Sequence, residues 1–131
     1  MGYQMTVCRG KGMQQTTTNP SPEAIERAID ELLPMMYHFV ILEHDEPIRG
    51  CSYIQTLITL ENEPVIRYLL EARFDFESHF EHYQTFTYNA AELKRVFRMF
   101  ALGLVPNVDG WTNIAGSLSQ RHKEDTHGES L

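Results

Sequence analysis

The sequence predicts one α+β domain: an antiparallel sheet of about five strands with two amphipathic helices packed on one face. Three observations carry that expectation. Apolar residues recur at helical spacing in two stretches, and they alternate with a period of two in others. The strand-like stretches also follow one another through short, turn-rich links. At 131 residues, 42% hydrophobic and 22% charged, the chain has one domain's length and enough apolar content for a core.

Tyr3, Met5 and Val7 alternate with Gln4 and Thr6, the pattern of a short half-buried strand. Arg9 to Asn19 is rich in Gly, Thr and Gln and reads as a loop. Ser21-Pro22-Glu23 then opens a helix: an N-cap, a proline at the first helical position, and an acid at the positive end of the dipole. Ile25, Ala28, Ile29, Leu32 and Leu33 form its apolar stripe, and Pro34 ends it.

Tyr37 to Leu42 is a nearly continuous apolar run, as for a central strand. Glu43 to Arg49 reads as a polar turn ending at Gly50, and Ser52 to Leu60 has a strand composition. Glu61 to Pro64 is a tight connection to a hairpin partner, Ile66 to Phe74, whose clean alternation implies one core face and one wet face. Phe80 to Tyr88 is a further strand. Asn89, three residues before Glu92, caps a second helix carrying Leu93, Val96, Phe97, Phe100, Ala101 and Leu104, with Gly103 at its C-terminus.

The order is therefore β-α-β-β-β-β-α, with the domain spanning 1–116 and a flexible polar tail over 117–131. The sheet face bearing Arg67, Glu71 and Arg73 is left open and is the first place to look for a partner.

The net charge of −7 argues against nucleic acid or an anionic membrane as the main partner. No apolar stretch approaches the roughly 18–20 residues that span a bilayer. No export signal follows Arg9 and Lys11, and Cys8 and Cys51 read as reduced thiols, which together predict a cytoplasmic protein.

No catalytic signature is present. His79 and His82 with Glu77 and Glu81 would converge on a metal in a helix, but at a strand start they point apart, so no metal or cofactor is expected. His122 and His127 read as solvated. Glu43 to Glu46 lacks the alternating ligands and central glycine of a calcium loop. Gly10-Lys11-Gly12 has the wrong spacing for a phosphate loop. Cys51 reads as a small core residue, and Trp111 either as a ring folded back over the sheet edge or helix end or as an exposed interface anchor. No Ser or Cys sits in a nucleophile elbow.

Charge is unevenly spread. Between Leu42 and His82 lie nine acids, half of the chain's 18, against Arg49, Arg67 and Arg73. An acidic surface of this kind raises the on-rate for a basic partner. The candidate interface is Glu71, Asp75, Glu77 and Glu81, with Tyr68 or Tyr83 as anchors.

Five short pieces also form a pattern: Tyr53-Ile54-Gln55, Ile66 to Glu71, His82-Tyr83, the helix ending in Phe97 to Gly103, and Gly110-Trp111. The set resembles the small α+β immunity-type proteins that bacteria encode beside polymorphic or contact-dependent toxins. It covers less than half the chain, and the linker Arg9 to Asn19 has no counterpart in it. The resemblance implies a cytoplasmic, non-enzymatic protein that binds and blocks a cognate toxin domain, and no interface residue carries over from it. A basic, nuclease-like toxin would suit the acidic surface, and a homodimer is left open. The alternative expectation is a small-molecule-binding or catalytic domain whose apolar pocket is lined by Tyr37, His38, Tyr53, His82 and Tyr83.

Overall fold

Both helices start at the caps the sequence offers in the computed structural model, which describes residues 2–60 and 65–117. Helix α1 (Pro22–Asp30) is capped by Ser21, whose Oγ accepts from the Ala24 N–H at 3.1 Å. Helix α2 (Ala90–Ala101) is capped by Asn89, whose Oδ1 accepts from the N–H groups of Ala91 and Glu92. It ends in a left-handed Gly103 (φ +89°). There the N–H groups of Gly103 and Leu104 bond back to the carbonyls of Phe100 and Met99, closing the last turn.

Among the described residues seven strands form one antiparallel sheet: β1 (Tyr3–Arg9), β2 (Gln14–Thr18), β3 (His38–Ile48), β4 (Cys51–Thr59), β5 (Arg67–Asp75), β6 (Phe80–Thr87) and β7 (Thr112–Asn113). Their spatial order is β2-β1-β3-β4-β5-β6-β7, and a further helical turn occupies 115–117. The α+β class is as expected, with two strands and one short helical segment more than the sequence predicts.

The extra strands have a physical explanation. Gln14–Thr18 (QQTTT) has no apolar residue, so it shows no alternation to detect, yet its β-branched threonines suit an extended ladder against β1. The stretch Arg9–Asn19 is thus a hairpin rather than a loop. Thr112–Asn113 is too short for any pattern and is ordered by pairing with Tyr83 and Gln84. Similarly, the polar segment after Leu42 stays in β3 as far as Ile48, with a register shift between Glu43 and Ile48. The turn shrinks to Arg49 and Gly50, both at positive φ. A side chain at Gly50 would meet the Phe76 ring at 2.9 Å. The readings of Glu61–Pro64 as a tight link, and of the tail beyond residue 117 with its two histidines, lie outside the described residues.

Both helices lie on one face. Ile25, Ala28 and Ile29 of α1, with Leu32 just beyond it, and Leu93, Phe97 and Phe100 of α2, pack on Met5, Val7, Val40, Leu42, Ile54, Ile58, Leu70 and Ala72. The α1 stripe is narrower than expected: Leu32 is buried, but Leu33 is 56% exposed because the helix has already ended at Asp30. Cross-helix pairs Lys94–Asp30 and Arg98–Glu26 hold α1 and α2 side by side. Cys51 is fully buried, and Trp111 is half-buried against the core.

Candidate functional site

Strand alternation sends every second residue to the face that neither helix covers. Reading across β1, β3, β4, β5 and β6, one row of that face is Gln4, Glu43, Tyr53, Arg73 and His82. The next is Thr6, Ile41, Gln55, Glu71 and Gln84. Leu57, Leu69 and Phe86 continue it toward one end of the strands, with Phe39 beside them.

A polar network runs through these rows. Gln4 Nε2 donates to Glu43 Oε1 at 2.8 Å, and Gln55 Nε2 donates to Glu71 Oε1 at 2.9 Å. His82 Nε2 lies 2.6 Å from Glu71 Oε2, a diagonal pairing between β5 and β6, and the Tyr53 ring stands edge-on to the imidazole. Burial alone would push the Glu71 carboxyl up. The hydrogen bonds from His82 and Gln55, and the charge of His82, outweigh burial and hold it below its ordinary value. Glu71 is 8% and His82 4% exposed, and His82 Nδ1 has no hydrogen-bond partner among the described residues. The two arginines lie flat on rings: Arg73 over Phe80 and Arg67 over Phe86, each 3.9 Å from the ring centre.

The two ends of this face differ. At the end carrying the β3–β4 and β5–β6 turns, Asp45, Glu46, Asp75 and Glu77 are exposed and Glu43 half-buried, against Arg49 and Arg73. Hydrogen bonds from Ser52 Oγ (2.6 Å) and Arg73 hold the Asp75 carboxyl below its ordinary value. At the opposite end, Leu33, Met35, Met36, Tyr37, Val65 and Ile66 are exposed. An open groove of about 390 Å³ there is lined by Met35, Met36, Tyr37, Phe39, Leu57 and Ile58. Tyr37 holds a left-handed φ of +64° at its rim. His38, also in the lining, accepts the Leu33 N–H on Nδ1 at 3.1 Å, and burial, with the nearby Arg9, lowers its pKa.

Comparisons with family models, curated proteins and solved structures give no match.

The structure distributes the sequence-predicted interface residues over several places. Glu71 is on the uncovered face but bonded inward to His82 and Gln55. Asp75 and Glu77 sit at the acidic end. Glu81 and Tyr83 belong to the helix side of β6, where the Tyr83 hydroxyl donates to Glu81 at 2.8 Å and that bond raises the phenol above its ordinary value. Tyr68 is 9% exposed beneath the helices. His79 stacks on Phe76 and approaches Glu81 at 3.4 Å, whereas His82 turns to Glu71. Among the described residues no three potential metal ligands cluster.

The Tyr and His residues expected around one pocket likewise separate. Tyr37 and His38 flank the groove, Tyr53 and His82 meet on the uncovered face, and Tyr83 is on the helix side. The groove and the Glu71–His82 network escaped the sequence reading. The network depends on the β5–β6 register, which no local pattern encodes, and the groove depends on how residues 34–37 leave α1. The one available signal was the run Leu33, Pro34, Met35, Met36, Tyr37, whose large apolar side chains follow the end of a helix.

Proposed function

We propose that this chain is a non-enzymatic binding protein of the immunity type, which blocks a cognate toxin domain by laying the uncovered face of its sheet across it. The observation that carries this reading is the continuity of that face. It runs from an acidic end, through half-buried aromatic and aliphatic side chains, to an apolar groove. Aromatic residues, methionine and arginine are the types enriched in protein interfaces, and a pocket bordered by them accepts an anchoring side chain. The exposed Asp45, Glu46, Asp75 and Glu77 would steer a basic partner toward the face, while the groove would hold it. The resemblance to immunity-type proteins supports the same reading, and the cytoplasm is the compartment it entails.

Titration calorimetry and stopped-flow association against the product of the neighbouring gene test this. Leu57→Asp, at the junction of face and groove, should weaken binding by at least tenfold, about 1.4 kcal/mol. The charge reversals Glu46→Lys and Glu77→Lys should slow association and flatten its salt dependence. No binding by the wild-type chain, or full affinity in a folded Leu57→Asp variant, overturns the proposal. An association rate indifferent to ionic strength removes the steering role of the acidic end.

A further inference from the structure

Strand β2 is an edge of the sheet. Among the described residues it pairs with β1 on one side only, and all five of its residues are exposed. Two hydrogen bonds fix the phase of its ladder: Asn19 N–H to Tyr3 O at 2.8 Å and Arg9 N–H to Met13 O at 3.0 Å. By the alternation of an antiparallel pair, Gln15 and Thr17 exchange bonds with β1, and Gln14, Thr16 and Thr18 turn their backbone N–H and C=O outward. Thr16 and Thr6 then form a close, non-hydrogen-bonded pair, in keeping with their hydroxyls lying 3.1 Å apart. Sheet edges are normally blunted by a lysine, a proline, a bulge or a covering segment. From Met13 to Asn19 there is no charge and no proline, and the register with β1 is unbroken.

We propose that β2 pairs antiparallel with β2 of a second copy of this chain, across a twofold axis at Thr16, so that two sheets join into one. The strand is complementary to itself. Gln14 faces Thr18 of the other copy and Thr16 faces Thr16, so the outward backbone groups of all three residues find partners. No like charges meet at the seam, in a chain whose net charge of −7 disfavours self-association elsewhere. The two copies run in opposite directions. The exposed Lys11 in the β1–β2 turn of one therefore points toward the other copy's Asn19 end, beside which Asp45 accepts the Gly2 N–H at 3.1 Å. On the helix side a cleft of about 240 Å³ lies between β2 and α1, lined by Gln15, Thr17, Ala24 and Ala28. In this pairing Gln15 and Thr17 of the two copies face each other at its mouth. The inference uses the edge of the sheet rather than its uncovered face and stands apart from the function proposed above.

Sedimentation equilibrium of the full chain over about 1 to 200 μM, a span bracketing micromolar dissociation constants, tests it. The wild-type chain should dimerise. Thr16→Pro removes one outward N–H without touching a bond to β1, and Thr16→Lys sets two like charges against each other on the axis. Each should weaken the dimer at least tenfold with an unchanged far-UV circular dichroism spectrum. Thr16→Cys should oxidise to a disulfide-linked dimer, since facing residues in a hydrogen-bonded pair have Cα atoms about 5.5 Å apart. The native Cys8 and Cys51 are buried and do not compete. A wild-type chain monomeric over the whole range overturns the proposal, as does a dimer that survives both Thr16→Pro and Thr16→Lys. A monomeric chain that instead pairs β2 with an extended segment of another protein also overturns it.

Discussion

Strand β5 has two sides that are kept dry by different means. On one, Tyr68, Leu70, Ala72 and Phe74 lie beneath the two helices, none more than 9% exposed. On the other, Arg67, Leu69, Glu71 and Arg73 meet no helix, yet Glu71 is equally buried and the rest are half-buried. There the side chains shield one another: guanidinium planes cover Phe80 and Phe86, the Tyr53 ring meets His82, and Gln55 and His82 close over Glu71. Helix cover demands only apolar shape. Mutual cover demands that each buried polar group be matched by a specific neighbour, so its stability is divided among pairs that can be broken one at a time.

The largest contrast should come from removing one aromatic ring on each side. Phe97, fully buried in α2, loses about 3–5 kcal/mol of stability as Phe97→Ala. Phe86 on the uncovered face is 44% exposed and stacks with Arg67, so Phe86→Ala should cost about 1 kcal/mol. Urea unfolding at neutral pH measures both. Equal losses would mean that the uncovered face is as tightly built as the core.

Next comes the Glu71–His82 pair. His82→Phe leaves a buried carboxylate with Gln55 as its one hydrogen-bond donor among the described residues, and should cost about 2–3 kcal/mol at pH 7. The double variant Glu71→Leu/His82→Phe should recover much of that, because no unmatched charge remains. The sign of the pH dependence follows from the lowered carboxyl. The unfolded chain takes up the Glu71 proton before the folded one does. The contribution of Glu71 is therefore complete above its ordinary value, about 4.3, and is lost as pH falls through the lower folded value. The stability gap between wild type and Glu71→Gln should accordingly be widest near neutrality and close in acid. A gap constant with pH would show that Glu71 does not titrate with folding.

The same division explains what the sequence makes legible. The helix side was readable because it is written locally: Ser21 and Asn89 mark the caps, and Ile25, Ile29, Leu93 and Phe97 repeat at helical spacing. The alternation of β5 likewise gave two faces, one bearing Arg67, Glu71 and Arg73. The uncovered face was legible in outline only. Whether Glu71 points to solvent or is bonded inward depends on which β6 residue lies diagonally opposite, and that is set by the turn at residues 76–79. The acids of residues 43–81 form a dense run in sequence, but of those described, strand direction gathers Glu43, Asp45, Glu46, Asp75, Glu77 and Glu81 at one end while Glu71 stays mid-strand, and alternation puts Glu81 on the other face from Glu43 and Glu71. Density along the chain was thus a poor guide to density on the surface. Strand β2 shows the converse limit: without apolar residues it carries no periodic signal, and only its neighbour β1 orders it.

The smallest effect tests whether charges on the covered side carry any of its stability. Arg98 and Glu26 join α2 to α1 at 2.7 Å, but their side chains are 45% and 33% exposed. Such a pair in water gains about 0.2–1 kcal/mol, because solvent screens the attraction and ordering two long side chains opposes it. Arg98→Ala should therefore lower stability by about 0.5 kcal/mol at low ionic strength and by less in high salt. The salt dependence separates the pair from the arginine's packing: a loss that persists unchanged in high salt belongs to the buried stem of the side chain. In that case Arg98 joins the helices by apolar contact, and Lys94–Asp30 is left as the cross-helix ion pair that could add a charge contribution.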